Sequence, residues 1–411
     1  MAAEARMLSS ERVRRYIATL IGCLIALSAF FTYKYATRGS VFETRVKAGF
    51  IYIGDASNGY TTNFMEAQKN LEAVFKNRVI TTARYNVPAD EVGKTLDELA
   101  RLGCGIIFTN SYGYGETVKE FAKNHPEIQF CQATQINANT KPFVSNYHTF
   151  MGHIHEGRYA SGVAAGMKLK DLIDAGRITV SQAKVGYVAA YPYPEVISGY
   201  TAFLLGVRSV VPEAVMTVMY TNSWNDYTLE KKYAKILIEE EGSVIISQHS
   251  DTMGPATACE EEDRSREVYC VSYNESTSDI APTTYLTGTR INWEPYITQA
   301  VKAVLENRRI ESALEATING NDAGSGFKNG WVKMLEINYH TAAKGTKERL
   351  EQLTQAFSKG NVHVFSGPYR GTSPNDPNDR ISLTKEYIEC KDQSAPTFHY
   401  VLDGVIKIRK P

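Results

Sequence analysis

The sequence predicts an α/β fold made of two open units, each a mostly parallel sheet covered by helices on both faces. Three observations predict it. Short continuous apolar runs alternate with amphipathic stretches of helical period. The alternation forms two successive series, and no low-complexity linker separates them. An N-terminal segment of different character precedes both.

In the first series, the run from Val46 to Ile53 (VKAGFIYI) is β-branched and aromatic and stops at Gly54-Asp55, which predicts a buried strand. Residues 62–76 place Phe64, Ala67, Leu71 and Val74 on one helical face. A strand over 78–86, a helix over 90–102, a strand over 105–109, a helix over 115–124 and a strand over 128–133 complete the series. The second series runs helix 155–174, strand 184–190, helix 194–210, strand 215–221, helix 227–240, and strands 243–248 and 268–273. Beyond it, 308–330 is rich in Gly and Asn, and Ser373–Asp379 (SPNDPND) reads as a surface loop.

The N-terminal segment is an export signal of some kind. After Arg12, Arg14 and Arg15, the run from Tyr16 to Tyr33 carries no charge. Eighteen helical residues span about 27 Å, close to the hydrocarbon thickness of a bilayer. Basic residues before the run keep the amino end in the cytoplasm. Three readings stay open: an uncleaved anchor, a cleaved signal peptide, or a lipoprotein leader cut before Cys23 in Leu20-Ile21-Gly22-Cys23. All three place residues 40 onward outside the cytoplasm.

Composition excludes several classes. The chain has 411 residues, 45 Lys and Arg against 45 Asp and Glu, and 43% hydrophobic residues. Zero formal charge speaks against non-specific nucleic-acid binding, which needs a cationic surface. The hydrophobic content speaks against disorder. Six cysteines in so long a chain do not make a disulfide scaffold, although Cys259 and Cys270 lie close enough in sequence to pair. Cys104 and Cys131 read as buried apolar residues. There is no G-x-S-x-G elbow and no phosphate-binding P-loop. His155-Glu156 begins like a zinc-protease motif, but Tyr159 stands at the second histidine position. His153 and His155 read as ordinary histidines. No catalytic residue, metal or cofactor is expected.

Open parallel sheets bind ligands at the carboxyl ends of their strands. The loops there are Gly54–Tyr60 (GDASNGY), Thr109–Gly115 (TNSYGYG), Tyr191–Glu195 (YPYPE), Asn222–Asp226 (NSWND), Ser247–Asp251 (SQHSD) and Tyr273-Asn274. Each joins a ring to amide, hydroxyl or carboxylate groups. That combination suits a flat ligand ring with polar edges. The plainer reading is that loops are polar and that tyrosine, at 25 residues, is abundant here. Six such loops in succession favour the ligand.

The order of these loops resembles the basic membrane protein family of extracytoplasmic solute-binding proteins, which serve ABC importers. The segments that carry the resemblance include Ala48–Gly54, Ile107–Tyr114, Glu156–Gly166, Gly186–Val196, Leu205–Pro212, Asn292–Tyr296 and Phe365–Pro368, between about Lys47 and Pro368. The resemblance implies two Rossmann-like lobes of the type I periplasmic-binding-protein fold, joined by a hinge that closes on a purine base or nucleoside. It implies a leader or anchor at 1–40, a first lobe at 41–150, a second at 151–284, a return to the first at 285–318, and a return to the second with the tail at 319–411. Hinge crossings are expected near 147–152, 281–288 and 315–330.

Site residues follow from the same resemblance. Tyr60, Tyr112 and Trp224 are the stacking residues, and Tyr60 stands where relatives carry tryptophan. Glu195, Asp251 and Asn274 read the ligand's edge, with Asn58 and Tyr191 beside them. The nucleoside-binding branch carries an aspartate for the ribose hydroxyls near Asn274; a neutral amide there favours a free, adenine-like base. The partners implied are an ABC permease and the small heteroaromatic ligand, with no nucleic acid. An extracytoplasmic sensor on the same lobes, signalling through a membrane partner, is the alternative function.

Overall fold

The computed structural model describes residues 18–29, 32, 45–262 and 265–410. Residues up to Arg45 form one unit and Val46–Pro411 another. The uncharged N-terminal run falls partly outside the described residues. Within it, residues 18–29 are helical, and among the described residues no helix is long and apolar enough to cross a membrane.

In the larger unit the strands are β1 (Val46–Ile51), β2 (Val79–Arg84), β3 (Ile106–Thr109), β4 (Gln129–Ala133) and β5 (Tyr147–Gly152). Next come β6 (Lys184–Ala189), β7 (Val215–Tyr220), β8 (Ile245–His249), β9 (Tyr269–Tyr273) and β10 (Tyr285–Ile291). Short strands β11 (Thr317–Asn319), β12 (Asp322–Ser325) and β13 (Val332–Met334) follow. The C-terminal part adds β14 (Arg370–Thr372), β15 (Arg380–Ser382), β16 (Val401–Leu402) and β17 (Ile406–Ile408).

Two seven-stranded sheets result, with orders β11-β12-β5-β4-β3-β1-β2 and β13-β10-β9-β8-β6-β7-β17. Within these two sheets, among the described residues, only the edge pairs β11/β12 and β10/β13 are antiparallel. Parallel strands covered on both faces are buried throughout, as β3, β5, β8 and β9 are along their whole length, so their few polar side chains must find partners inside. Each sheet reverses its strand order at one place, between β1 and β3 in the first and between β6 and β8 in the second.

Sheet membership shifts the expected segment boundaries. β10 lies in the second sheet, and β11 and β12 in the first. The chain therefore changes sheets after Gly152, Ile291 and Ser325, each just past a strand, rather than at 150, 284 and 318. Backbone bonds link these crossings: His153 N–H donates to Ser325 O at 2.8 Å and Asn292 N–H to Trp331 O at 2.8 Å.

The helices Ile154–Asp174 and Pro194–Arg208 pack at glycines. A Cβ on Gly162 would lie 2.0 Å from Phe203 O, and one on Gly206 would lie 2.1 Å from Tyr159 O. Only glycine allows that approach. Cys259 and Cys270 are free, buried thiols in this structure, not a disulfide. Cys104 and Cys131 are buried too, the first just before β3 and the second within β4.

Candidate ligand-binding site

Strand-order reversals leave a crevice at the carboxyl ends of the flanking strands. In the first half those ends carry Asn58, Tyr60 and Asn110; in the second they carry Glu195, His249 and Asp251. The two sets meet.

Asn58 caps the helix Gly59–Phe75, its Oδ1 accepting from Thr61 N–H at 2.8 Å. Its amide also faces the Asp251 carboxyl of the opposite half and favours that group's charged form. Tyr60, in the first helical turn, donates its hydroxyl to Asn110 O and sets its ring edge against Trp293. Its hydroxyl feels the charges of Glu195 and Asp251, and burial with those charges holds it well above the usual phenol range. Asn63 from the same helix donates to Asn274 O at 3.2 Å.

In the second half, Trp224 O accepts from Asp251 N–H at 2.8 Å. The Trp224 and Tyr191 rings lie 5.8 Å apart, and Tyr191 stacks on Tyr193 at 5.0 Å. Glu195 occupies the first turn of the helix Pro194–Arg208, where the positive end of the helix dipole favours a carboxylate. Its Oε1 lies 3.7 Å from His249 Nε2. Asn274 sits in the left-handed region at φ +64°, which turns its amide toward Asp251; Nδ2 donates to Asp251 Oδ1 at 3.3 Å.

Burial pushes the Asp251 carboxyl up to about 7, and the charges of Glu230 and Glu195 push the same way, against the hydrogen bonds from Asn274 and Asn58. Burial holds the His249 imidazole down, opposed by Glu195. His249 Nδ1 has no hydrogen-bond partner and Nε2 has only the 3.7 Å contact with Glu195, while Asn110 Nδ2 and Asn274 Oδ1 are buried and unpartnered. Leaving such an atom unpaired costs about 1–3 kcal/mol, so a ligand that pairs it regains that energy. The orientation of both amides is fixed, since Asn110 Oδ1 accepts from Ile53 N–H at 2.8 Å and Asn274 Nδ2 is held by Asp251. Asn110 thus presents a donor and Asn274 an acceptor.

The structure brings together Asn58, Tyr60, Glu195, Asp251 and Asn274, with Tyr191 and Trp224 as a ring pair joined to them through the Asp251 backbone. Tyr112 stands apart, the residue 58% exposed. It sits in a 3-10 turn, Tyr112–Tyr114, whose buried ring is Tyr114 instead. Sequence reasoning missed Asn110 and His249, although both lie inside loops it singled out.

Comparison with known proteins shows the family of the chain. Residues 46–359 match the family model of Bmp, described as ABC transporter substrate-binding protein PnrA-like. The chain belongs to this family. A purine-binding protein of Brucella abortus is 30% identical over 365 residues, covering 88% of this chain and 93% of that protein. A Haloferax volcanii protein named for glucose binding in an ABC transporter is 26% identical, over 78% of this chain and 74% of that one. Among solved structures, an ABC transporter solute-binding protein from Aeropyrum pernix superposes with a TM-score of 0.62 at 15% identity, over 80% of this chain and 94% of that one. At that identity the likeness shows the fold.

The Bmp family comprises solute-binding proteins, not enzymes, and its members work outside the cytoplasm with a small-molecule ligand and an ABC permease.

Proposed function

We propose that this protein delivers a purine-type base, adenine-like rather than a nucleoside, to an ABC importer. The observation that carries the reading is the carboxyl–amide group of Asp251, Asn274 and Asn58 beside the Tyr191–Trp224 rings. Rings stack on the faces of a heteroaromatic ligand, while amides and a carboxyl read its edge. The 30% identity to a protein named for purine binding supports the same class. A sugar, the alternative suggested by the Haloferax relative, needs several hydroxyl acceptors; here Asn274 is a neutral amide and the nearest carboxyl resists ionisation.

Ligand binds one half first, and the other half closes over it about the crossings at 152–154, 291–294 and 325–331, in the manner of hinged binding proteins. Contacts made only in the closed arrangement shift the population toward it. The closed form then docks on the permease. The uncharged run 16–33 exports the protein or tethers it to the membrane.

Calorimetry against a panel of bases, nucleosides and sugars tests the reading. Adenine is expected to bind at least about tenfold more tightly than adenosine, a difference of about 1.4 kcal/mol. Preference for adenosine would overturn the role given to Asn274, and a sugar preference would overturn the ligand class.

A further inference from the structure

Behind the Asp251 loop lies a second carboxylate. Glu230 belongs to the first turn of the helix Tyr227–Glu239 and is fully buried. No lysine or arginine lies at ion-pair distance from it among the described residues. A buried carboxylate without a cation must be satisfied by hydrogen bonds. Here the donors are residues that flank Asp251. Glu230 Oε2 accepts from Ser250 Oγ at 2.7 Å, Thr252 Oγ1 at 2.7 Å and Thr252 N–H at 3.3 Å, and Oε1 accepts from Asp226 N–H at 3.3 Å.

The rest of the loop is equally fixed. Gln248 Nε2 donates to Ser250 O at 3.0 Å and to Thr252 O at 2.7 Å. Thr252 Oγ1 accepts from Gly254 N–H at 3.1 Å. Residue 254 must be glycine for this approach, because a Cβ there would lie 2.7 Å from Tyr227 O and 2.9 Å from Lys231 N. Of the three residues 250–252, the two outer side chains turn back to Glu230, and Asp251 alone turns toward Asn274 and Asn58.

We infer that Glu230 is a positioning residue of the ligand site: it fastens Ser250 and Thr252 so that Asp251 projects toward the ligand, and its charge opposes a second charge there. The charge half of the inference draws on the surroundings of Asp251. The groups that face it are Asn274 after β9, Asn58 at the first-half helix cap, Glu195, Glu230, and the Tyr60 and Tyr273 hydroxyls. Burial pushes Glu230 up to about 6, against the bonds from Ser250 and Thr252, and its charge is among those that hold the Asp251 carboxyl up. Asp251 then meets the ligand near neutral pH as a carboxyl that can donate a proton to a ring nitrogen acceptor. A neutral heteroaromatic base with such an acceptor fits; an anionic ligand does not. This ligand chemistry rests on the purine-type reading, whereas the Glu230–Asp251 coupling does not.

The test uses the full chain, two test variants, Glu230→Gln and Thr252→Val, and a third, Asp251→Asn, for assignment only. The Asp251 titration midpoint is read without ligand from its carboxyl carbon resonance, assigned by its loss in Asp251→Asn. Adenine affinity is read by calorimetry from pH 5.5 to 8.5. Glu230→Gln is expected to lower the midpoint by about half a pH unit or more. It should weaken adenine binding about threefold or more at pH 7.5, where the neutral carboxyl becomes scarcer. Thr252→Val keeps Glu230 with its Ser250 and Thr252 N–H bonds and loses one fastening, so affinity falls at every pH while the midpoint moves less than in Glu230→Gln. A folded Glu230→Gln variant with wild-type midpoint and affinity overturns the inference. Unchanged affinity in Thr252→Val overturns its positioning half, even if Glu230→Gln fails to fold. If no base binds the wild-type chain, the purine reading falls, and the ligand-free midpoint still decides the coupling.

Discussion

Two buried carboxyl clusters in this protein are built in opposite ways. In the proposed ligand cleft, Asp251 accepts from Asn274 and faces Asn58, and around it Asn274 Oδ1, Asn110 Nδ2 and His249 Nδ1 are unpaired. Toward the C-terminus the buried carboxylates Asp322 and Glu389 are instead saturated. Asp322 on β12 accepts from Thr149 Oγ1 at 2.7 Å and from both Ser394 N–H and Ser394 Oγ at 2.6 Å. Glu389 accepts from Thr397 N–H at 2.6 Å, Thr397 Oγ1 at 2.8 Å and Ser198 Oγ at 2.7 Å, and Phe398 N–H adds a further bond. The second cluster ties the tail, which lies beyond the matched family residues, to a strand of the first sheet and a helix of the second half. A saturated carboxylate holds structure together. An under-paired one keeps bonding capacity for a ligand, and the protein bears its cost until the ligand arrives.

The largest effect should therefore come from the saturated cluster, and it should be an effect on stability alone. Asp322→Ala strands three donors, the Thr149 and Ser394 hydroxyls and the Ser394 amide. A loss of about 3 kcal/mol in unfolding free energy is expected from urea titration. Adenine affinity of the folded variant should stay at the wild-type value. If affinity falls with stability, the two clusters are not separate in function.

The cleft should give the reverse pattern. Trp224→Ala removes a ring that is only partly buried in the absence of ligand but would face a bound base. Adenine binding should weaken by about 1–2 kcal/mol in calorimetry, the scale of an aromatic contact with its buried area. Unchanged affinity would remove Trp224 from the site and leave the cleft reading to Tyr191 and the edge groups.

How far sequence reasoning reached follows the same division. Elements with a clear period were legible: the helix at Gly115–Asn124 falls on the residues expected, and Ile154–Asp174 is one residue longer than expected. Elements defined by distant partners were not. β5 was expected as a crossing from the resemblance alone, and His148, Thr149 and Gly152 interrupt its apolar pattern. Its polar side chains are satisfied from afar, His148 by Gln129 and Glu311 and Thr149 by Asp322. The helices Glu294–Leu305 and Thr346–Ser358 received no expectation at all. In the site, the strand-end loops were legible as loops, yet the roles within them were not. Tyr112 and Asn110 are two residues apart, and only the fold decides that the ring faces solvent while the amide is buried. Glu230 gives no signal in a helix whose other charges are on the surface; its meaning comes from Ser250 and Thr252, some twenty residues later.

The smallest effect concerns the cost of keeping Asp251 under-paired, and its sign is fixed. A carboxyl held at about 7 in the folded chain, against an ordinary value of 3.8, keeps its proton where the unfolded chain has lost it. The stability it contributes is complete below the ordinary value and disappears as pH rises through about 7. Asp251→Asn cannot ionise, so the stability of the variant relative to wild type should rise between pH 5 and pH 8. A gain on the order of 1 kcal/mol is expected from urea titrations at the two pH values, below the full linkage value because part of the residue meets solvent. Glu156, held up to about 7 by its own burial, shifts both proteins alike and cancels in the difference. A difference that stays flat with pH would mean that Asp251 ionises freely, and the contrast with Asp322 would then reduce to a count of hydrogen bonds.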